Sequence, residues 1–112
     1  MTTRRIGHLA DFAPSSVHRI DVPHADGTTE AVAVIRIGDT FYAIGDRCTH
    51  ANVSLAEGTL WADECELECP KHGSAFSLKT GEPQSFPATK PVPVHEIEVR
   101  GDDVYLTLAP TS

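Results

Sequence analysis

Two short signatures constrain this chain more than anything else in it: Cys48-Thr49-His50 and Cys69-Pro70-Lys71-His72, with eighteen residues between His50 and Cys69. In Cys-x-His the two side chains are i and i+2, which in an extended backbone point to the same side. In Cys-x-x-His they sit at the ends of a tight turn, so both can reach one small object. Two Cys and two His carried by two tight loops make a metal site, and the donor pattern limits the metal. One tetrahedral zinc accepts Cys2His2, but its usual spacing pairs like with like, C-x2-4-C followed by H-x3-5-H. Here each half supplies one ligand of each type, which suits an object with two unlike ends.

A [2Fe–2S] cluster with two thiolates on one iron and two imidazoles on the other is such an object. At this point the chain resembles the Rieske proteins. Cys48-Thr49-His50 and Cys69-Pro70-Lys71-His72-Gly73-Ser74 are similar to their two cluster-binding loops. Residues 30–50 resemble the hairpin that leads into the first loop, and Leu55-Ala56-Glu57-Gly58 the small motif after it. Residues 76–81 resemble the strand and turn leaving the second loop, and Phe86-Pro87-Ala88-Thr89 the proline loop over the cluster. The likeness runs over residues 6–108. It implies one [2Fe–2S] cluster per chain, held by Cys48, His50, Cys69 and His72, in an all-β domain of stacked antiparallel sheets with the two loops at its tip.

The subtype follows from what is absent. Respiratory and photosynthetic members of the family carry an extra cysteine in each loop, joined as a disulfide. The matching places here are Val53 and Lys71, and Phe76 stands where those proteins have a tyrosine near a ligand sulfur. Ser74 keeps a hydroxyl that can donate to a cluster sulfide. Hydrogen bonds to the sulfurs favour the reduced, more negative state, so fewer of them lower the potential. Within a family range of about −150 to +300 mV, the low end is expected. That end belongs to the soluble ferredoxins of ring-hydroxylating oxygenases. Charge counting agrees with the range: two thiolates and two neutral imidazoles leave the oxidised site neutral, where four thiolates would make it 2−. The electron should settle on the His50–His72 end, which has less thiolate donation, and those imidazoles would be its exit.

Composition fits a small carrier. The 112 residues read as one domain, 1–112, with a modest core helped by a stapling cofactor. A formal charge of −7 disfavours nucleic acid and anionic membrane and favours a basic partner surface. No apolar run is long enough to span a bilayer, and no signal-peptide core follows Arg4-Arg5, so a cytoplasmic monomer is expected.

Short strands and turns dominate the pattern. Residues 29–37 read as a strand, Gly38-Asp39 as a two-residue hairpin turn, and residues 40–44 as the returning strand. Cys65, Leu67 and Cys69 alternate with Glu64, Glu66 and Glu68, a half-buried strand delivering Cys69. Ile97 and Val99 lead to a turn at Gly101-Asp102, after which Val104, Leu106 and Leu108 alternate again. Four prolines make residues 82–93 a stiff loop, and Leu9–Phe12 hints at one helical turn. Cys65 is expected as a buried thiol on the apolar strand face rather than a ligand. His8, His18, His24 and His95 are expected on the surface and Trp61 in the core. Asp63, Glu64, Glu66 and Glu68 read as a solvated face that could also dock a partner, and Lys71 as solvated or facing a partner carboxylate.

The expected function is electron transfer without chemistry on a substrate, from a flavin-dependent ferredoxin reductase to the Rieske site of a terminal oxygenase. A mononuclear iron site with two His and one carboxylate would need a further domain. Alternatives from other classes are an electron-transfer subunit of a nitrite-reductase-like or iron–sulfur biogenesis system, and a structural zinc module on the same four residues.

Overall fold

The computed structural model describes residues 3–23, 27–48, 53–71, 73–84 and 90–108. Among these residues nine strands run in chain order: β1 (Thr3–His8), β2 (Ser16–Pro23), β3 (Thr29–Ile37), β4 (Thr40–Gly45), β5 (Thr59–Trp61), β6 (Glu66–Glu68), β7 (Ala75–Ser77), β8 (Val94–Arg100) and β9 (Asp103–Thr107). A six-stranded sheet has the order β1-β9-β8-β4-β3-β2, and a three-stranded sheet the order β5-β6-β7. All the pairings are antiparallel. The expected all-β class of stacked antiparallel sheets is therefore what the chain adopts.

Strand β3 explains why the layers stack. Its alternation is apolar on both faces: Ala33 and Ile35 enter one core, Val32 and Val34 the other. Neighbouring β4 divides in the same way, with Ile44 in the first core and Ala43 in the second. A strand buried on both sides lies at the centre of a sheet with material over each face. The first core joins β3 and β4 to Leu67 of β6 and Phe76 of β7, so the small sheet packs over one face of the large one. The second core lies on the opposite side and holds Phe12, Val22, Val104 and Leu106.

Strand β3 has the bounds the pattern gives, and the Gly38-Asp39 and Gly101-Asp102 turns fall where expected, both glycines at positive φ. Residues 9–11 form a 3-10 turn, capped by the His8 side chain accepting from the Ala10 N–H at 3.0 Å. Strands β1 and β2 are additions that the sequence pattern does not announce. They are the two edges of the large sheet, where one face is wet and polar residues interrupt the alternation.

The expected strand over residues 65–69 is shorter. Cys65 has φ 57°, closing the turn before β6, and is half-buried rather than seated on the strand's inner face. Of the expected surface histidines, one is buried and a second is only partly exposed. His95 is buried with its Nε2 3.0 Å from Glu30 Oε2. His18 is half-buried with its ring edge-on to Phe12. His8 is exposed as expected, and His24 lies outside the described residues, as does the 86–89 segment of the proline loop. Trp61, expected in the core, is 46% exposed on edge strand β5, its indole N–H donating to Glu68 Oε1 at 3.0 Å. On a three-residue edge strand a ring that large stays partly in solvent.

Candidate metal centre

The first loop grows from the end of β4. Beyond Gly45 the chain stays extended and pairs with its own return: the Cys48 N–H donates to the Val53 carbonyl at 3.1 Å, and the Leu55 N–H to the Asp46 carbonyl at 2.6 Å. These bonds flank an isolated bridge between Arg47 and Ser54. Residues 46 and 48 therefore share one side, and both are buried while Arg47 is exposed. A 3-10 turn at Leu55–Glu57 follows and seats Leu55 in the first core.

Asp46 is a residue that a search for ligand motifs misses. It is 1% exposed, and its carboxylate accepts from the Ser54 hydroxyl at 2.5 Å and from the Ala56 N–H at 2.9 Å. Its own N–H donates to the Ala31 carbonyl of β3 at 3.1 Å. A buried carboxylate with donors on both oxygens ties β3, β4 and the far side of the loop together. The one signal available in the sequence is an acidic residue at the end of an apolar strand, two positions before a cysteine. Beside it a groove of about 470 Å3 is lined by Arg19, Glu30, Arg47, Ser54 and Pro93. Arg19 approaches Asp46 at 3.8 Å but lies closer, at 3.2 Å, to Asp21.

The second loop grows from β6. Leu67 points inward, and Cys69 follows it on the same side. The turn is closed by the Cys69 N–H to the Ser74 carbonyl at 2.7 Å and the Gly73 N–H to the Cys69 carbonyl at 3.2 Å. Gly73 has φ 75°, a left-handed value at which a Cβ is strained. Ser74 is buried, Phe76 is fully buried in the first core, and Lys71 is exposed.

The two loops thus deliver Cys48 and Cys69, both buried, into one core cluster. None of the three cysteines is in a disulfide. Val53 packs against that same core. His50 and His72, with Thr49, Ala51 and Asn52, lie outside the described residues. Two buried thiols, one from each loop and both in one core cluster, fit a thiolate-held inorganic group, since the thiolate is the metal ligand. Cys65 stands apart. It closes the β5–β6 turn and packs at the margin of the core. The Tyr42 hydroxyl is held above its ordinary pKa by hydrogen bonding to Cys65 first and by burial second.

Comparison with known proteins agrees with this geometry. The Rieske [2Fe-2S] domain family matches residues 5–96. The chain is 40% identical over 100 residues to the 3-phenylpropionate/cinnamic acid dioxygenase ferredoxin subunit of Escherichia coli (strain K12), covering 89% of this chain and 88% of that one. Its fold superposes on the ferredoxin of carbazole 1,9a-dioxygenase from Nocardioides aromaticivorans IC177 with a TM-score of 0.87 and 33% identity, covering 97% of this chain and all of the other. A solved complex of reduced oxygenase and oxidized ferredoxin in carbazole 1,9a-dioxygenase contains a chain similar to this one at TM-score 0.83 and 41% identity, over 94% of this chain and 92% of that one. The chain belongs to the Rieske [2Fe-2S] domain family.

Proposed function

We propose that this protein is the ferredoxin of a multicomponent ring-hydroxylating oxygenase system, one domain over residues 1–112, passing single electrons from a flavin-dependent reductase to a terminal oxygenase. The observation that carries the reading is the convergence of Cys48 and Cys69 in one buried cluster, each at the end of a loop that also bears a histidine. Cys48 and Cys69 would hold one iron of the cluster, and His50 and His72 the other. When bound, the [2Fe–2S] group takes up and releases one electron.

The chain's own residues do the rest. Phe76, Leu55 and Leu67 keep water from the thiolate end. The backbone bonds across residues 48–53 and 69–74 fix both loops without a disulfide. Phe76 in place of a tyrosine removes one hydroxyl donor, which supports a potential near the low end of the family range. The charge of −7 favours a basic surface on each partner. Among the described residues no helix is long and apolar enough to cross a membrane, and a cytoplasmic monomer is the simplest form for such a carrier. It carries electrons and transforms no substrate of its own.

The test is an EPR-monitored redox titration of the purified protein, with iron and sulfide analysis. The expected result is two irons and two sulfides per chain and a rhombic signal of mixed Cys/His type near about −150 mV. Cys48→Ala and Cys69→Ala should each abolish it, and His72→Cys should keep a cluster at lower potential. A colourless protein containing zinc would overturn the reading.

A further inference from the structure

We propose that Asp46 is a positioning residue for electron transfer, whose buried carboxylate anchors the first loop and holds the midpoint potential down. The proposal rests on the reading of Cys48 as a cluster ligand. Three observations carry it. The Asp46 side chain is on the same side of an extended, paired backbone as Cys48, two residues away, so both point into the interior while Arg47 faces solvent. It is held in that place from across the loop, by the Ser54 hydroxyl and the Ala56 N–H, both downstream of Cys48. Finally, its compensation is incomplete: the two donors are neutral, and Arg19 at 3.8 Å has a half-exposed side chain and a closer carboxylate partner in Asp21.

The carboxylate accepts from both groups at once. An Asn in the same orientation could still accept from the Ala56 N–H while its amide N–H turns to the Ser54 hydroxyl, which can accept as well as donate. The geometry of Asp46 sets how residues 46–48 approach residues 53–56, and so where the Cys48 side chain stands. Its charge acts in the same place. A negative charge buried near a redox centre disfavours the arrival of an electron, and bulk salt screens it little. Ser54 tempers that charge by donating to it.

The two neighbours therefore have opposite effects, which a purely structural role would not produce. Asp46→Asn keeps the shape and removes the charge, and should raise the midpoint potential. Ser54→Ala keeps the charge and removes a donor, and should lower it. Both shifts should persist at high salt, and the double variant should behave like Asp46→Asn. The experiment is the midpoint potential of the holoprotein variants by EPR-monitored titration, with iron content and thermal midpoint recorded alongside. Potentials that do not move, or that move in the same direction in both variants, overturn the proposal. If Asp46→Asn does not fold, Ser54→Ala decides alone: a lower potential supports it, and an unchanged or higher one overturns it. Failure of the ligand reading looks different, as a Cys48→Ala protein that retains its cluster.

Discussion

Gly58 lies so close to the carbonyl of Glu68 that no Cβ fits between them. Gly58 closes the 3-10 turn after the first loop, and Glu68 immediately precedes Cys69 of the second. This contact of backbone on backbone sets the spacing of the two loops where they leave the core. The obstacle is backbone rather than the tip of a flexible side chain, so relief requires one loop to move. Gly58→Ala should cost about 1–3 kcal/mol through overpacking and lower the iron content of the purified protein. The denaturant midpoint at unchanged slope measures the first. Gly101 serves as the control: it lies at φ 62° with open space where a side chain would begin, and Gly101→Asn should leave iron content unchanged.

Tyr42 and Cys65 both pack at the edge of the first core, and hydrogen bonding to Cys65 is the largest cause acting on the Tyr42 hydroxyl. That hydroxyl is held above its ordinary pKa, so the folded state favours the neutral phenol. The stabilisation is present in full below the unfolded value of about 10 and is lost as pH rises through the higher folded value. Cys65→Ala removes the largest cause of the shift. Tyr42 should then titrate closer to its ordinary value, read from phenolate absorbance in a Tyr105→Phe background against a Tyr42→Phe blank. The same variant should keep its full complement of iron. Loss of iron would make Cys65 a ligand.

Among the described residues the Trp61 side chain makes one hydrogen bond, to Glu68, and it is 46% exposed. Surface substitutions away from caps and cores change stability little, within about 0.5 kcal/mol. Trp61→Phe should therefore leave the denaturant midpoint nearly unchanged, where a core tryptophan would cost several-fold more. As the protein's single tryptophan, Trp61 should also be accessible to a neutral collisional quencher in the apoprotein.

Parts of this architecture are legible from the chain and parts are not, and the division is physical. β3 is legible because both of its faces are apolar, and Gly38-Asp39 fixes where it turns. The two loops are legible because Cys48 and Cys69 have a donor chemistry that few other patterns share. β1 and β2 are not, since edge strands need only one dry face and Arg4, Arg5, His18 and Arg19 break the alternation. Trp61 misleads because size alone suggests burial, while among the described residues strand β5 is an edge of its sheet. His95 and Asp46 mislead for the converse reason. A polar residue becomes tolerable inside only once its partner is known, and Glu30 lies 65 positions from His95, on a strand that β4 separates from β8. Asp46 finds its donors across a loop that the sequence shows only as a spacing.

The charge distribution makes a last prediction about partners. The chain carries a net −7, and Asp63, Glu64, Glu66 and Glu68 all lie within six residues before Cys69. Asp63 and Glu64 are exposed in the β5–β6 turn, and Glu66 and Glu68 are half-buried on the outer face of β6. Exposed charges act over about 8–10 Å at ordinary ionic strength and are screened beyond it, so they steer encounter more than they hold a complex. The second-order rate of reduction by a flavin-dependent reductase should therefore fall steeply as salt is raised, while the rate at saturating reductase changes little. Replacing Asp63 and Glu64 by Asn and Gln should flatten that salt dependence and leave the midpoint potential where it was, because both side chains are solvated. A rate that is indifferent to salt would mean that apolar contact rather than charge governs the encounter.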